Sequence, residues 1–204
     1  MSKILAITGA TGKKSGGYFA QVLCERWDEV TAIFDGGVRA LVRASSNTEA
    51  IDAAPLHIDK YIGELTDVEF LKSAFADVDT VVHIAGIHWS REVISAAAAC
   101  HVRRLILVHT TGIYSKYKQA GEEYRQIDDF VYNTCKKANI ILTVLRPTMI
   151  YGNVSDNNVI KFIRMVDRLP LMPAVNGARY ALQPVHYKDL GKAYYQVLMN
   201  EATT

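Results

Sequence analysis

The sequence predicts an α/β fold built on a doubly wound parallel sheet. Three observations predict it. Short apolar runs alternate with longer helical stretches along the 204 residues, the runs are rich in Val, Ile and Leu without clean polar alternation, and the joints between them are short. A strand covered by helices on both faces has no solvent side, so both of its residue sets turn apolar. Repeated βα units of this kind wind helices onto the two faces of one sheet.

The elements follow in order. The run "KILAIT" (3–8) leads through a glycine-rich loop into a helix from about Tyr18 to Phe34, then "VRALVR" (38–43) and, after a polar loop, "HIDKYIG" (57–63). A helix around "VEFLKSAFA" precedes "TVVHIAG" (80–86), and a helix through "REVISAAAACH" precedes "RLILVHTT" (104–111). A long helix from about Tyr117 to Ala138 is followed by "ILTVLRP" (141–147). Residues 1–150 thus form the expected sheet core. Residues 151–204, with "DNNVIKFIRMVDRLPLMP", are less regular and are expected to complete that core and cap the carboxyl edge of the sheet, where such folds bind ligands.

Composition narrows the function classes. Half of the chain is hydrophobic, enough for a core of one domain, and 23 Lys plus Arg against 21 Asp plus Glu leave a formal charge of +2. That balance speaks against a dedicated nucleic-acid or membrane-surface protein, although a pI of 8.4 allows a local basic patch. No apolar stretch reaches the length of a membrane span and the start has no signal-peptide pattern. Cys24, Cys100 and Cys135 have neither pairing nor zinc spacing and read as reduced thiols of a cytoplasmic protein; no metal site is expected.

The loop "GATGKKSGG" (9–17) carries the first chemistry. A triphosphatase loop needs a glycine five residues before its Gly-Lys-Ser/Thr. Here Ile7 stands five before Gly12, and Lys13 is followed by Lys14 rather than a hydroxyl, so that reading falls. In a dinucleotide loop one glycine makes the turn, a second lets the backbone approach the pyrophosphate, and a third lets the helix pack on the strand. Gly9 and Gly12 fit the first two roles; the third is displaced by one residue to Gly16, backed by Gly17. Backbone N–H groups around Thr11 and Ser15 would face phosphates at the helix start. Lys13 and Lys14 are either solvated charges or counter-charge for a phosphate.

The second strand ends in Arg43 followed by Ala44, Ser45 and Ser46, with no carboxylate before Glu49. A fold that prefers NAD places Asp or Glu there for the ribose 2′-hydroxyl. A guanidinium suits a 2′-phosphate instead, and NADP is expected over NAD.

Together "ITGATG", "ALVR", "IGELTD", "VVHIAG", "LILVHTTGIYS", "LRPTMIYG" and "LQPVHYKDLGKA" resemble, in order and across nearly the whole chain, the short-chain dehydrogenase/reductase superfamily in its extended or atypical branch, the NAD(P)-dependent epimerase/dehydratase type with a Rossmann fold. The resemblance implies that Glu64 and Leu65 lie near the adenine, Ala85 and Gly86 along the ribose, and Pro147 on the nicotinamide side. It also implies a tyrosine acid/base with a lysine four residues on, which lowers the phenol's pKa, and a Ser or Thr that hydrogen-bonds the reacting oxygen. Thr110, with Thr111 second, fills the hydroxyl position. Two Tyr–Lys pairs compete. Tyr132 lies about fifteen residues into the long helix, about 22 Å along its axis, and the Tyr132–Lys136 pair is set aside as too far from the sheet edge. Tyr114 and Lys118 stand at the helix start, but Tyr114 also matches the family's strand-end tyrosine and the usual long intervening loop is missing, so Tyr117 stays open as an alternative. His83 reads as a packed core residue, His186 as ordering the substrate side, Asp189 as capping or anchoring the next helix, and Trp89 as cleft floor or packing.

Two functions follow. One is an NADP(H)-dependent oxidoreductase or epimerase-like enzyme for a small carbonyl, alcohol or sugar-type substrate, with Thr110, Tyr114 and Lys118 handling the proton. The other is a non-catalytic NADP(H)-binding sensor of a partner protein, which the contracted loop favours. The small-molecule enzyme is expected as a monomer or homodimer. Members of the family continue with a further strand after "KDLGKAYYQVL", so a truncated or reduced form is expected.

Overall fold

The computed structural model describes residues 2–115, 118–153, 156, 159–169, 177, 179, 182–200 and 203, with residues 118–120 described by their backbone alone. The strands are β1 (Leu5–Thr8), β2 (Val38–Val42), β3 (Ile58–Ile62), β4 (Thr80–His83), β5 (Arg104–Val108) and β6 (Ile141–Leu145). All pair in parallel, in the order β3-β2-β1-β4-β5-β6. The order reverses between β1 and β4, and it is outside the carboxyl ends of such a pair that open α/β sheets hold their ligands.

Alternation within each strand builds the two faces. Leu5 and Ile7, Val38, Ala40 and Val42, Val82, Ile106 and Val108 enter one cluster with helices α1 (Ser15–Glu25), α2 (Trp27–Ile33), α3 (Glu49–Asp52) and α8 (Tyr187–Met199). Ala6, Leu41, Val81, Leu105 and Leu107 enter the other, under α4 (Val68–Phe75), α5 (Ser90–Ala99) and α6 (Lys118–Ala138). Both residue sets of these strands are buried, which is why the runs show no polar alternation.

The helix expected from Tyr18 to Phe34 is two helices. It starts at Ser15 and breaks at Arg26, whose backbone leaves helical geometry at φ −120° and ψ 34°. The break turns Val30 and Phe34 onto the sheet while Trp27 stays in solvent. Beyond β6, a two-residue parallel pair joins β7 (Ile150–Tyr151) to β8 (Val185–His186), and α7 (Val159–Arg168) lies between them in sequence. Helix α8 packs directly on α1: a Cβ at Gly191 would stand 2.9 Å from the Tyr18 ring and 3.0 Å from the Phe19 nitrogen. Its far end is held by the buried Arg104 guanidinium, which donates to the carbonyls of Leu198 at 2.8 Å and Val197 at 2.7 Å, capping groups that a helix C-terminus otherwise leaves without partners.

Candidate dinucleotide site

The glycine loop crosses directly from β1 to α1. Gly9 has φ +81°, and a Cβ on it would stand 2.8 Å from the backbone nitrogen of Ala85, so the loop after β1 and the loop after β4 touch through a position only glycine fills. Gly12 donates its N–H to the Gly9 carbonyl at 3.0 Å and is itself exposed. Gly16 lies inside the first turn of α1, and a Cβ there would come within 2.2 Å of the Gly9 carbonyl oxygen. The displaced glycine therefore performs the packing role: the helix seats on the turn one residue later than in the usual spacing. Its first-turn N–H groups and the positive end of its dipole face the carboxyl edge at the switch point, an arrangement that receives an anion. Exposed Lys13 and Lys14 flank it. The Ser15 hydroxyl is turned away, buried against Tyr194 at 3.2 Å, which leaves only the backbone of Ser15 for a phosphate.

Beneath this crossing lies a layer of buried polar groups. His83 sits at the end of β4, with Nε2 donating to the Gly86 carbonyl at 2.9 Å and Nδ1 accepting from the Thr8 hydroxyl at 2.6 Å. Burial pushes its pKa down to about 4, against the Gly86 bond that raises it, so the ring is neutral at physiological pH. His83 is thus the packed residue the sequence suggested, and it ties the ends of β1 and β4 together.

A second chain of bonds went unread in the sequence. The Ser90 hydroxyl donates to Nε2 of His109 at 3.0 Å, and His109 Nδ1 donates to Asp128 Oδ1 at 2.6 Å. The other carboxylate oxygen of Asp128 takes Arg146 at 2.5 Å, and against the cost of its burial Asp128 and the nearby Tyr132 hydroxyl together raise the pKa of that guanidinium. Burial lowers the His109 pKa although Asp128 opposes it, which keeps the ring neutral and in this tautomer. The Ser–His–Asp order matches a hydrolytic relay, yet Ser90 and the His109 ring are sealed from solvent, so no substrate carbonyl reaches the hydroxyl.

The remaining expected residues separate into groups. Thr110 follows β5 and accepts the Gly112 N–H at 3.0 Å, leaving its hydroxyl proton to donate; Thr111 N–H reaches the Pro147 carbonyl at 3.4 Å, so Thr110 and Pro147 share one corner. Tyr114 ends a 3₁₀ turn (Thr111–Tyr114) and is 72% exposed. Lys118 begins α6, its side chain outside the described residues, and Tyr117 lies outside them altogether. Asp128, ten residues into α6, already meets His109 and Arg146 just past β5 and β6, so the first turns of α6 stand beyond the sheet edge, and Tyr132 lies one turn further along the helix than Asp128. Arg43 is exposed at the end of β2, in a turn closed by its own N–H to Ser46 Oγ at 3.1 Å. Glu64 and Leu65 follow β3, where Asp67 caps α4 through the N–H groups of Glu69 and Phe70. Trp89 is 40% exposed beside Ser90, and Asp189 lies in the first turn of α8, whose N-cap is His186.

The C-terminal region reaches the loop. The Asn153 side-chain amide donates to the Lys13 carbonyl, and Lys14 lines a small recess with Ile150, Tyr151, Asn153, Asp156 and Tyr187. Among the described residues no cluster of His, Cys, Asp and Glu suits a metal ion, and no helix is long and apolar enough to cross a membrane.

A six-stranded sheet with this strand order and a glycine loop at its switch point defines a dinucleotide-binding α/β protein. The model of the NAD(P)H-binding family matches residues 9–163, and the chain belongs to that family. No curated protein matches it in sequence. Solved structures share its fold. The NADP(H) complex of Citrobacter sp. triphenylmethane reductase is 23% identical, with TM-score 0.71 over 97% of this chain and 66% of that one. The dTDP-glucose 4,6-dehydratase DesIV of Streptomyces venezuelae, with NAD bound, is 17% identical, with TM-score 0.73 over 96% of this chain and 72% of that one. The structure of gox2253 is 20% identical, with TM-score 0.69 over 97% of this chain and 66% of its own length. The chain therefore spans about two thirds of the length of such neighbours.

Proposed function

We propose that the chain is an NADP(H)-dependent oxidoreductase or epimerase-like enzyme acting on a small carbonyl, alcohol or sugar-type substrate. The observation that carries this reading is the crossing of Gly9 and Ala85 at the switch point, with the exposed Gly12 backbone and the start of α1 above it. The cradle fits a pyrophosphate because glycine at 9 and 16 lets the loop, the turn after β4 and α1 close together, and a side chain at either would push the first-turn N–H groups away. The two phosphates are held by the first-turn N–H groups of α1, with Lys13 and Lys14 supplying counter-charge. Arg43 meets a 2′-phosphate at the end of β2, Glu64 and Leu65 border the adenine, and Ala85 and Gly86 border the ribose. When bound, the nicotinamide supplies the hydride chemistry.

The chain's own residues handle the proton and the access of water. Thr110 donates its free hydroxyl proton to the reacting oxygen. Tyr114 is the acid/base, with Lys118, four residues on at the start of α6, to favour the phenolate. Asn153, beyond β7, latches onto the phosphate loop at Lys13. Oxidation of NADPH by the purified protein, followed at fixed enzyme against a panel of small aldehydes, ketones and keto-sugars, tests the reading: turnover of at least one compound supports it. A second reading, an NADP(H)-binding sensor without turnover, is favoured by the 72% exposure of Tyr114. Tight NADPH binding with no turnover on any compound selects it.

A further inference from the structure

Two residues expected at the nicotinamide end, Thr110 and Pro147, are each preceded by a residue whose side chain is held by one carboxylate. His109 and Arg146 continue the strand alternation that turns Leu105, Leu107, Leu142 and Val144 toward the α4–α6 cluster, so their side chains leave the sheet opposite to those of Thr110 and Pro147. Asp128 meets both from α6, Oδ1 on His109 at 2.6 Å and Oδ2 on Arg146 at 2.5 Å. Ser90, from the start of α5, fixes the far side of the imidazole at 3.0 Å. Past the ladder of β5 and β6, the backbone adds the His109 N–H to the Leu145 carbonyl at 2.9 Å and the long Thr111–Pro147 contact at 3.4 Å, where the Thr111 hydroxyl also donates at 3.4 Å.

We propose that Asp128 is a positioning residue that sets the separation of Thr110 and Pro147, and through it the binding of the nicotinamide half of the cofactor. The inference rests on the cofactor reading given above. A carboxylate accepts on both oxygens and carries the counter-charge to Arg146; an amide at 128 keeps both partners only by forcing His109 into its other tautomer, and it leaves the Arg146 charge uncompensated. The relay is built from four elements, α5, β5, α6 and β6, so its loss moves a corner of the site rather than one contact.

The test compares two ligands on the intact chain: NADPH, and adenosine 2′,5′-bisphosphate, which lacks the nicotinamide half. Asp128→Asn is expected to weaken NADPH by about tenfold, a size typical of residues that act through others, while the bisphosphate changes less than about twofold. Asp128→Asn combined with Arg146→Gln restores complementary neutral contacts and is expected to return NADPH affinity to within about threefold of the original. Ser90→Ala, which removes only the far bond and tolerates folding best, is expected to act in the same direction by a few-fold. Equal weakening of both ligands, or no change in either, overturns the proposal, as does failure of the double variant to recover NADPH while circular dichroism stays native. An unmodified protein that binds the bisphosphate but gains nothing from the nicotinamide half overturns this inference alone. One that binds neither ligand overturns the cofactor reading with it.

Discussion

Gly16→Ala is the sharpest local perturbation the loop offers. Its Cβ would stand 2.2 Å from the Gly9 carbonyl oxygen, whereas ordinary contact begins at 3.4 Å, so α1 must retreat by about 1 Å. The obstacle is backbone and Ile84 closes the other side at 3.4 Å, so no flexible side chain yields. Forcing a methyl into packed surroundings costs about 1–3 kcal/mol, which for a chain of this size lowers Tm by roughly 2–10 °C. The same retreat withdraws the first-turn N–H groups from the phosphates, and the loss of one charge-assisted bond of about 1.5–3 kcal/mol raises the NADPH Kd roughly ten- to hundredfold. Gly12→Ala separates the two effects. Its Cβ meets only the Gly9 carbonyl, at 3.0 Å, and points to the open side, so it should impair binding with little change in Tm. Differential scanning fluorimetry and calorimetric titration read the pair. If Gly16→Ala binds NADPH as tightly as the original chain, α1 does not present the phosphate donors and the reasoning fails.

Three further outcomes are expected. Arg43→Ala should cost roughly 1–3 kcal/mol of NADPH affinity and leave NADH affinity unchanged, read by calorimetry; equal losses for both would deny Arg43 its role at the 2′-phosphate. For acid stability, His83 titrates near 4 in the fold but near 6.5 when unfolded, and burial lowers the His109 pKa as well. The unfolded chain therefore binds the extra protons: stability is complete above pH 6.5 and falls as pH drops, by about 3 kcal/mol for His83 at pH 4. His83→Asn should flatten much of that slope in urea titrations taken at successive pH values. Tyr114→Phe should abolish turnover and spare NADPH binding, Lys118→Met should weaken both, and Tyr132→Phe should leave turnover intact; full activity of Tyr114→Phe would move the proton donor to Tyr117.

The sheet was legible because each strand announces itself by composition, and the glycine loop because backbone approach demands glycine at particular turns. The break at Arg26 was not, since nothing local in "CERWDEV" forbids a helix; Val30 and Phe34 reaching the sheet decide it. The shifted third glycine became intelligible only through the distance from Gly16 to Gly9. Ser90, His109, Asp128 and Arg146 escaped altogether because they lie on four elements with no shared spacing. The one available signal was His109, a polar residue on the buried phase of β5. Counting from the helix start overstates how far the residues of α6 lie from the sheet edge, because α6 begins beyond that edge and Asp128, ten residues in, is level with it.

Amide hydrogen exchange with and without NADPH tests the central claim most directly, because it reads where the cofactor lies without assuming catalysis. The account predicts added protection across Gly9–Gly17 and at Ala85 and Gly86, with a weaker band at Arg43–Ser46. Protection confined to other segments, or none at saturating NADPH, would contradict it.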